Sequence, residues 1–195
     1  MIAVVNYGAG NLTSVKKALD WIGQECVITS VPVEVERATK LILPGVGHFA
    51  ATASLAKLGL QEVIENAIYR GVPFLGICVG MQWMFEGSAE SPETPGLGLL
   101  SGTCEHFPSG VKSPHVGWNQ IQVSDSSRLF RGLRSAFVYF THSFRAPLNE
   151  STTAGCEYGG TFSAAVEKDN AFGVQFHPEK SSELGLKLLR NFCEL

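Results

Sequence analysis

The chain has 195 residues, a length that fits one α/β domain with room for a buried core. Hydrophobic residues make up 45% and charged residues 17%, the ordinary proportions of a soluble globular protein. A net charge of −3 and a pI near 5.9 leave no excess of Lys and Arg, so nucleic-acid binding has no electrostatic footprint.

Met1 to Tyr7 is a short apolar strand pattern without a basic leader, and no signal peptide is expected. No apolar run approaches the roughly 20 residues of a membrane helix, so the expectation is a cytoplasmic protein. Ile2 to Asn6 ends in Tyr7-Gly8-Ala9-Gly10-Asn11, and Leu12, Val15, Leu19 and Ile22 then recur at helical spacing. That is a strand, a glycine turn and an amphipathic helix with Asn11 as its N-cap. Glu25 to Thr29 reads as a second strand and Leu41 to Leu43 as a third, stopped by Pro44-Gly45-Val46-Gly47. Leu60, Val63, Ile64, Ala67 and Ile68 mark a helix that Gly71 ends, and Val72 to Ile77 is a fourth strand. Apolar strands alternating with helices predict a parallel sheet covered on both faces.

The pattern then changes. Glu86 to Gly98 is rich in Gly, Pro, Ser and Glu and reads as loop. Short β-like stretches follow, among them Trp118 to Val123, Phe137 to Phe140, Thr161 to Val166 and Ala171 to Phe176. Glu183 to Phe192 closes the chain as a helix. With no repeat or linker, residues 1–195 read as a single domain with a mixed sheet whose antiparallel strands cluster late.

Five cysteines with no C-x-x-C spacing argue against a disulfide framework or a zinc ribbon. Of these only Cys78 has a chemical context, Gly76-Ile77-Cys78-Val79-Gly80, between a buried strand and a helix-like stretch from Met81 to Phe85. Small residues two before and two after a nucleophile permit a tight strand-to-helix turn. Cys78 would stand at a helix N-terminus, where the dipole favours the thiolate, and the Val79 N–H would face a developing oxyanion. The alternative is a buried cysteine in a glycine-flanked turn.

A cysteine nucleophile needs a base. In Gln175-Phe176-His177-Pro178-Glu179, the proline biases His177 toward extended backbone. Residues i and i+2 then share a side, so Glu179 can hold the His177 ring in one tautomer at a sheet edge. The alternatives are a structural histidine and a solvated carboxylate. The glycines of Pro44-Gly45-Val46-Gly47 allow that loop to supply a second oxyanion donor, or to be a plain turn. Gly8-Ala9-Gly10 lacks the third glycine of a dinucleotide fingerprint, since Thr13 stands there, and no metal-binding spacing is present. No cofactor or metal is expected.

Gly76 to Gln82 together with Phe176 to Glu179 resembles the class I glutamine amidotransferases. Asn6 to Leu12, Pro44 to Gly47, Pro114 to Asn119, Tyr139 to Phe144 and Gly173 to Ser181 look like one branch of that family, the glutaminase subunits serving imidazole glycerol phosphate synthases of histidine biosynthesis. The resemblance covers most of the chain. It implies a flavodoxin-like fold, a central, mostly parallel sheet with helices on both faces, and a Cys78-His177-Glu179 triad. It also implies that Gln82 and Glu90 hold the amino-acid end of glutamine, helped by backbone at His142, Ser143 and Phe144.

The same resemblance implies a (β/α)₈-barrel cyclase partner, a separate polypeptide forming a heterodimer with this chain and receiving ammonia through a protected channel. That partner makes imidazole glycerol phosphate and an aminoimidazole carboxamide ribotide. Asn11, Trp118, Tyr139 and Lys180 flank the active-site motifs and are the expected docking residues, with plain core as the alternative for Trp118. The family pattern further implies that the subunit is gated by its partner. With glycines on both sides of Val46, the Val46–Gly47 peptide can rotate to aim either an N–H or a carbonyl at the oxyanion.

Val79 stands where leucine is usual in the family and Phe144 where tyrosine is common. These departures leave open a glutaminase serving another synthase, such as one modifying a sugar. More distant alternatives are a stand-alone cysteine hydrolase and a non-enzymatic interaction protein.

Overall fold

The structure, a computed structural model, describes residues 1–133 and 135–195. Its first part alternates strand and helix: β1 (Ile2–Val5), α1 (Leu12–Trp21), β2 (Cys26–Thr29), α2 (Pro32–Glu36), β3 (Lys40–Gly45), a 3₁₀ turn at Phe49–Thr52, α3 (Ala53–Lys57), α4 (Leu60–Tyr69) and β4 (Phe74–Cys78). The one-turn helix α5 (Val79–Gln82) follows directly. The rest is mostly strand: β5 (Gly87–Ser88), β6 (Thr103–His106), β7 (His115–Val123), β8 (Ser135–His142), β9 (Phe144–Arg145), β10 (Thr152–Glu157), β11 (Thr161–Lys168) and β12 (Ala171–Val174). A 3₁₀ turn at Pro178–Lys180 leads into α6 (Ser182–Cys193).

Among the described residues nine strands form one sheet in the order β2-β1-β3-β4-β12-β11-β10-β7-β8, and β5-β6-β9 form a small second one. The strands from β2 to β12 run parallel, and from β12 to β8 each neighbour is antiparallel. Sequence pattern explains the division. Every residue of β1, β4 and β12 is buried, as a strand covered on both faces requires. β7 instead carries exposed residues along its length, as a strand with one solvated face does. Helix α1 packs with α6, while α4 packs with α2 and α3, giving helix layers around the sheet. The architecture is the mixed α/β sheet expected, with the antiparallel strands in the C-terminal half. Among the described residues no helix is long and apolar enough to cross a membrane.

Two short helices have no counterpart among the predicted elements. Val31, Val33 and Val35 alternate like a strand, but Pro32 occupies the first helical position, where its fixed φ and missing N–H suit a helix start. Helix α3 is too short to show a period. Asn11 precedes α1, as expected, but its side chain makes no cap bond.

Where β3, β4 and α5 meet, the packing admits no side chain. A Cβ on Gly80 would collide with the Leu43 carbonyl oxygen, and one on Gly76 would lie 2.5 Å from the Gly80 carbonyl oxygen. Gly80→Ala should therefore cost about 3 kcal/mol, lowering Tm by roughly 6–12 °C in a chain of this size. Thermal melting tests this, and an unchanged Tm would count against the packing account.

Candidate active site

Three adjacent parallel strands, β3, β4 and β12, end at the same edge of the sheet. Gly45 pairs with Cys78, and Ile77 pairs with Val174. Crevices beyond the carboxyl ends of such strands are the usual ligand sites of open α/β sheets.

Cys78 is the last residue of β4, with φ +54° and ψ −109°. A non-glycine residue held there costs about 1–3 kcal/mol, sustained by the surrounding ladder and the glycine contacts. The side chain is buried, with Sγ 3.6 Å from Gln175 Nε2 and 3.9 Å from the Thr141 carbonyl oxygen. The helix that follows is shorter than expected. Instead of continuing the helix, the carbonyls of Trp83, Met84 and Phe85 accept from the N–H groups of Leu97, Leu100 and Gly98. The Val79–Gln82 turn still places first-turn N–H groups, Val79 included, beside Cys78, but a long helix dipole does not act there.

His177 and Glu179 follow β12 and stand beyond its carboxyl end, at the same edge of the sheet as Cys78. His177 is extended (φ −99°, ψ 98°), but Glu179 lies in the 3₁₀ turn Pro178–Lys180. The pair therefore meets through a turn and not through i, i+2 extended geometry. His177 Nδ1 is 2.8 Å from Glu179 Oε1, with both side chains 1% exposed. Burial lowers the pKa of His177, but Cys78 and Glu179 outweigh it and push the value up to about 10. Cys78 acts on the ring electrostatically even though His177 Nε2 makes no hydrogen bond of standard geometry. Asn11, freed from capping, donates from Nδ2 to Glu179 Oε1 at 3.4 Å. Ser181 Oγ donates to the His177 carbonyl, and the Tyr139 N–H donates to Ser181 Oγ.

A cavity of about 240 Å³ opens over Cys78, and Val46, Gly47, Val79, Gln82, Glu90, His142, Ser143 and Phe144 all line it. Sequence reasoning missed two lining residues, Pro114 and Thr141. His177 and Glu179 are not among the residues that line it. Gln82 Nε2 donates to the Phe144 carbonyl (2.8 Å) and to Gln175 Oε1 (3.1 Å), so Gln82 Oε1 is the atom left to face a ligand. Glu90 Oε2 accepts from the Phe49 N–H at 2.7 Å. Gln175, which joins Gln82 to Cys78, is a further site residue that sequence reasoning missed. Its signal was an amide in an otherwise apolar strand pattern.

The two glycines at and after the end of β3 have different functions. A Cβ on Gly45 would lie 2.7 Å from Gly80 N, Tyr7 Oη and Val79 Cβ, so close packing requires that glycine. Gly47 is needed for its φ of +89°, with open space where a Cβ would stand. Conformational freedom in the loop therefore resides at Gly47. Among the described residues, no cluster of three or more His, Cys, Asp or Glu is arranged to hold a metal ion.

Trp118 is 53% exposed and is not core. It stacks edge-on to Tyr139 at 6.2 Å, and Lys180 Nζ lies 5.7 Å from the Tyr139 ring centre. With Val116 and Phe137, both exposed, these side chains form an apolar and aromatic surface near the His177 turn.

Comparison with known proteins follows the same lines. The family model described as glutamine amidotransferase class-I matches residues 3–195. A Moorella thermoacetica protein named imidazole glycerol phosphate synthase subunit HisH is 47% identical over 198 residues, covering 100% of this chain and 94% of that one. A Thermococcus kodakarensis protein of the same name is 48% identical over 203 residues, covering 100% of both. Among solved structures, a glutamine amidotransferase superposes with a TM-score of 0.79 at 22% identity, covering 100% of this chain and 98% of that one. The Thermotoga maritima PurLQS structure gives 0.77 at 22% identity, covering 99% and 97%. At that identity the two structures speak for the fold alone.

Proposed function

The chain belongs to the class-I glutamine amidotransferase family, and from that membership we propose that it is the glutaminase subunit of an imidazole glycerol phosphate synthase. In this reading residues 1–195 are a single amidotransferase domain, acting in the cytoplasm. The observation that carries the reading is Cys78 at a strained strand end, beside the buried His177–Glu179 pair, under a cavity lined by Gln82 and Glu90. The full-length HisH relatives favour a histidine-pathway partner over a sugar-modifying one.

Cys78 thiolate attacks the side-chain amide carbon of glutamine, forming a C–S bond and a tetrahedral oxyanion. The N–H of Val79 and one from the Val46–Gly47 peptide stabilise that oxygen. His177 Nε2 passes its proton to the departing nitrogen, the C–N bond breaks, and ammonia leaves a glutamyl thioester. Neutral His177 then takes a proton from water as it attacks the thioester. Glutamate departs and the thiolate–imidazolium pair is restored. Glu179 holds the imidazolium, and Asn11 holds Glu179. Ammonia passes to the barrel cyclase, docked on the surface that bears Trp118, Tyr139 and Lys180. No cofactor or metal enters this half-reaction.

A glutaminase uncoupled from its partner would waste glutamine, so the isolated chain is expected to be slow. If the partner turns the Val46–Gly47 peptide so that its N–H faces the oxyanion, the gain is on the order of 10²–10³-fold. It should appear mainly in kcat, because the oxyanion exists only after attack. Steady-state glutamine hydrolysis with and without the barrel synthase and its ligand measures this. Equal kcat in both conditions would refute the gate.

A further inference from the structure

The Pro114–Asn119 stretch contributes a docking residue and cavity lining, but its His115 has no part in the chemistry above. That side chain is buried, and its ring is stacked between Tyr158 (3.9 Å, 16°) and Phe140 (4.7 Å, 22°). Its two nitrogens belong to a continuous chain of hydrogen bonds. Asn119 Nδ2 is 3.3 Å from His115 Nε2, His115 Nδ1 is 3.1 Å from His142 Nε2, and His142 Nδ1 is 2.9 Å from the Phe144 carbonyl oxygen.

One proton arrangement satisfies all of these contacts. A carbonyl only accepts, so His142 Nδ1 carries the proton. Burial lowers the pKa of His142 to about 3 and that of His115 to about 4, so both rings are neutral near pH 7. His142 Nε2 is therefore an acceptor, and His115 Nδ1 must donate to it. His115 Nε2 is then an acceptor in turn, served by the Asn119 amide. That amide also donates to the Glu157 carbonyl at 3.2 Å, which fixes its orientation. Donation runs one way, from Asn119 through His115 and His142 to the Phe144 carbonyl.

The Phe144 carbonyl is the junction with the site, since it also accepts from Gln82 Nε2. The other Gln82 hydrogen goes to Gln175 Oε1, and Gln175 Nε2 reaches Cys78 Sγ. Stacking alone does not require an imidazole at position 115, because a phenyl ring stacks as well. What the imidazole adds is one donor and one acceptor, each used.

We propose that His115 is a positioning residue for glutamine binding, acting through His142 to fix the Phe144 carbonyl against Gln82 and so to set the wall of the cavity. The identity of the ligand rests on the glutaminase reading; the relay itself does not.

Two variants and one spectroscopic measurement test this. His115→Phe keeps the stack and leaves His142 Nε2 an unpaired buried acceptor. His115→Asn puts an amide donor near the place of Nδ1. In the complex with the barrel synthase, His115→Phe should raise KM for glutamine about tenfold or more while changing kcat much less. His115→Asn should recover most of that loss. Long-range ¹H–¹⁵N spectra of the ligand-free chain should show His115 and His142 in the Nδ1–H form. In His115→Phe, His142 should lose that single-tautomer signature.

A folded His115→Phe variant with unchanged KM would overturn the proposal. So would His115→Asn that melts like the wild type but binds glutamine no better than His115→Phe. Finding either histidine in the Nε2–H form would overturn it independently of any activity. Because the spectra need no glutamine, failure of the relay is distinguishable from wild-type chain that does not hydrolyse glutamine at all.

Discussion

Cys78→Ala is expected to lower glutamine-dependent turnover by about 10⁶-fold, the scale of losing a covalent nucleophile. The same complex should still make product from added ammonia, because the thiolate serves only amide cleavage. The variant suits the test structurally. Alanine keeps the Cβ, so the strain at φ +54° is unchanged and only Sγ is removed. Gln175 Nε2 loses its sulfur partner but keeps its place through Gln175 Oε1 and Gln82. Glutamate release and ammonium-supported synthesis, measured in parallel, give the result. Retained glutamine turnover would remove Cys78 from the nucleophile role, and loss of both activities would mean that the complex had not assembled.

Glu179→Gln should cost about 10⁴-fold in kcat with the fold intact. The amide oxygen can still accept from His177 Nδ1 and Asn11 Nδ2, so geometry survives and only charge is lost. That charge helps raise the His177 pKa from its ordinary 6.5 to about 10, and it stabilises the imidazolium that forms in the reaction. The sign in pH follows. A histidine whose folded pKa is raised contributes stability that is complete below 6.5 and is lost as pH climbs through about 10. In Glu179→Gln the folded pKa is lower, so that contribution should be smaller and its loss finished at lower pH, visible in melting curves collected across the alkaline range. Unchanged kcat in the assembled enzyme would reduce Glu179 to a structural carboxylate.

The central strands were legible because their signal is local. β4 is apolar throughout and ends at a glycine-flanked cysteine, whereas the placing of β3, β4 and β12 side by side shows only in the sheet order. Features set by distant contacts were not legible. Nothing near Asn11 announces that its amide will reach Glu179 instead of capping α1, since the partner is 168 residues away. The truncation of α5 depends on the N–H groups of Leu97 and Gly98, at the end of a segment read as loop, and of Leu100 just beyond it. His115 was read as part of a motif, but its role depends on β7 and β8 pairing so that His115 stands opposite His142. Gln175 stands out as an amide in an apolar strand pattern, but its role is set by the atoms it joins, on Gln82 and Cys78.

The glycines at the strand ends also decide which mutations can reshape this site. Positions 45, 76 and 80 face backbone or close neighbours on every side, and a Cβ at 173 would lie 2.7 Å from Met81. A library that varies them will return destabilised chains whatever the chemistry under selection. Val46, Pro114, Thr141 and Ser143 line the same cavity from loops and a strand end, where side chains already stand. Selection for a bulkier amide in place of glutamine therefore has a narrow set of accessible routes. They all run through the rim of the cavity, while the floor that holds Cys78 is fixed by the absence of side chains.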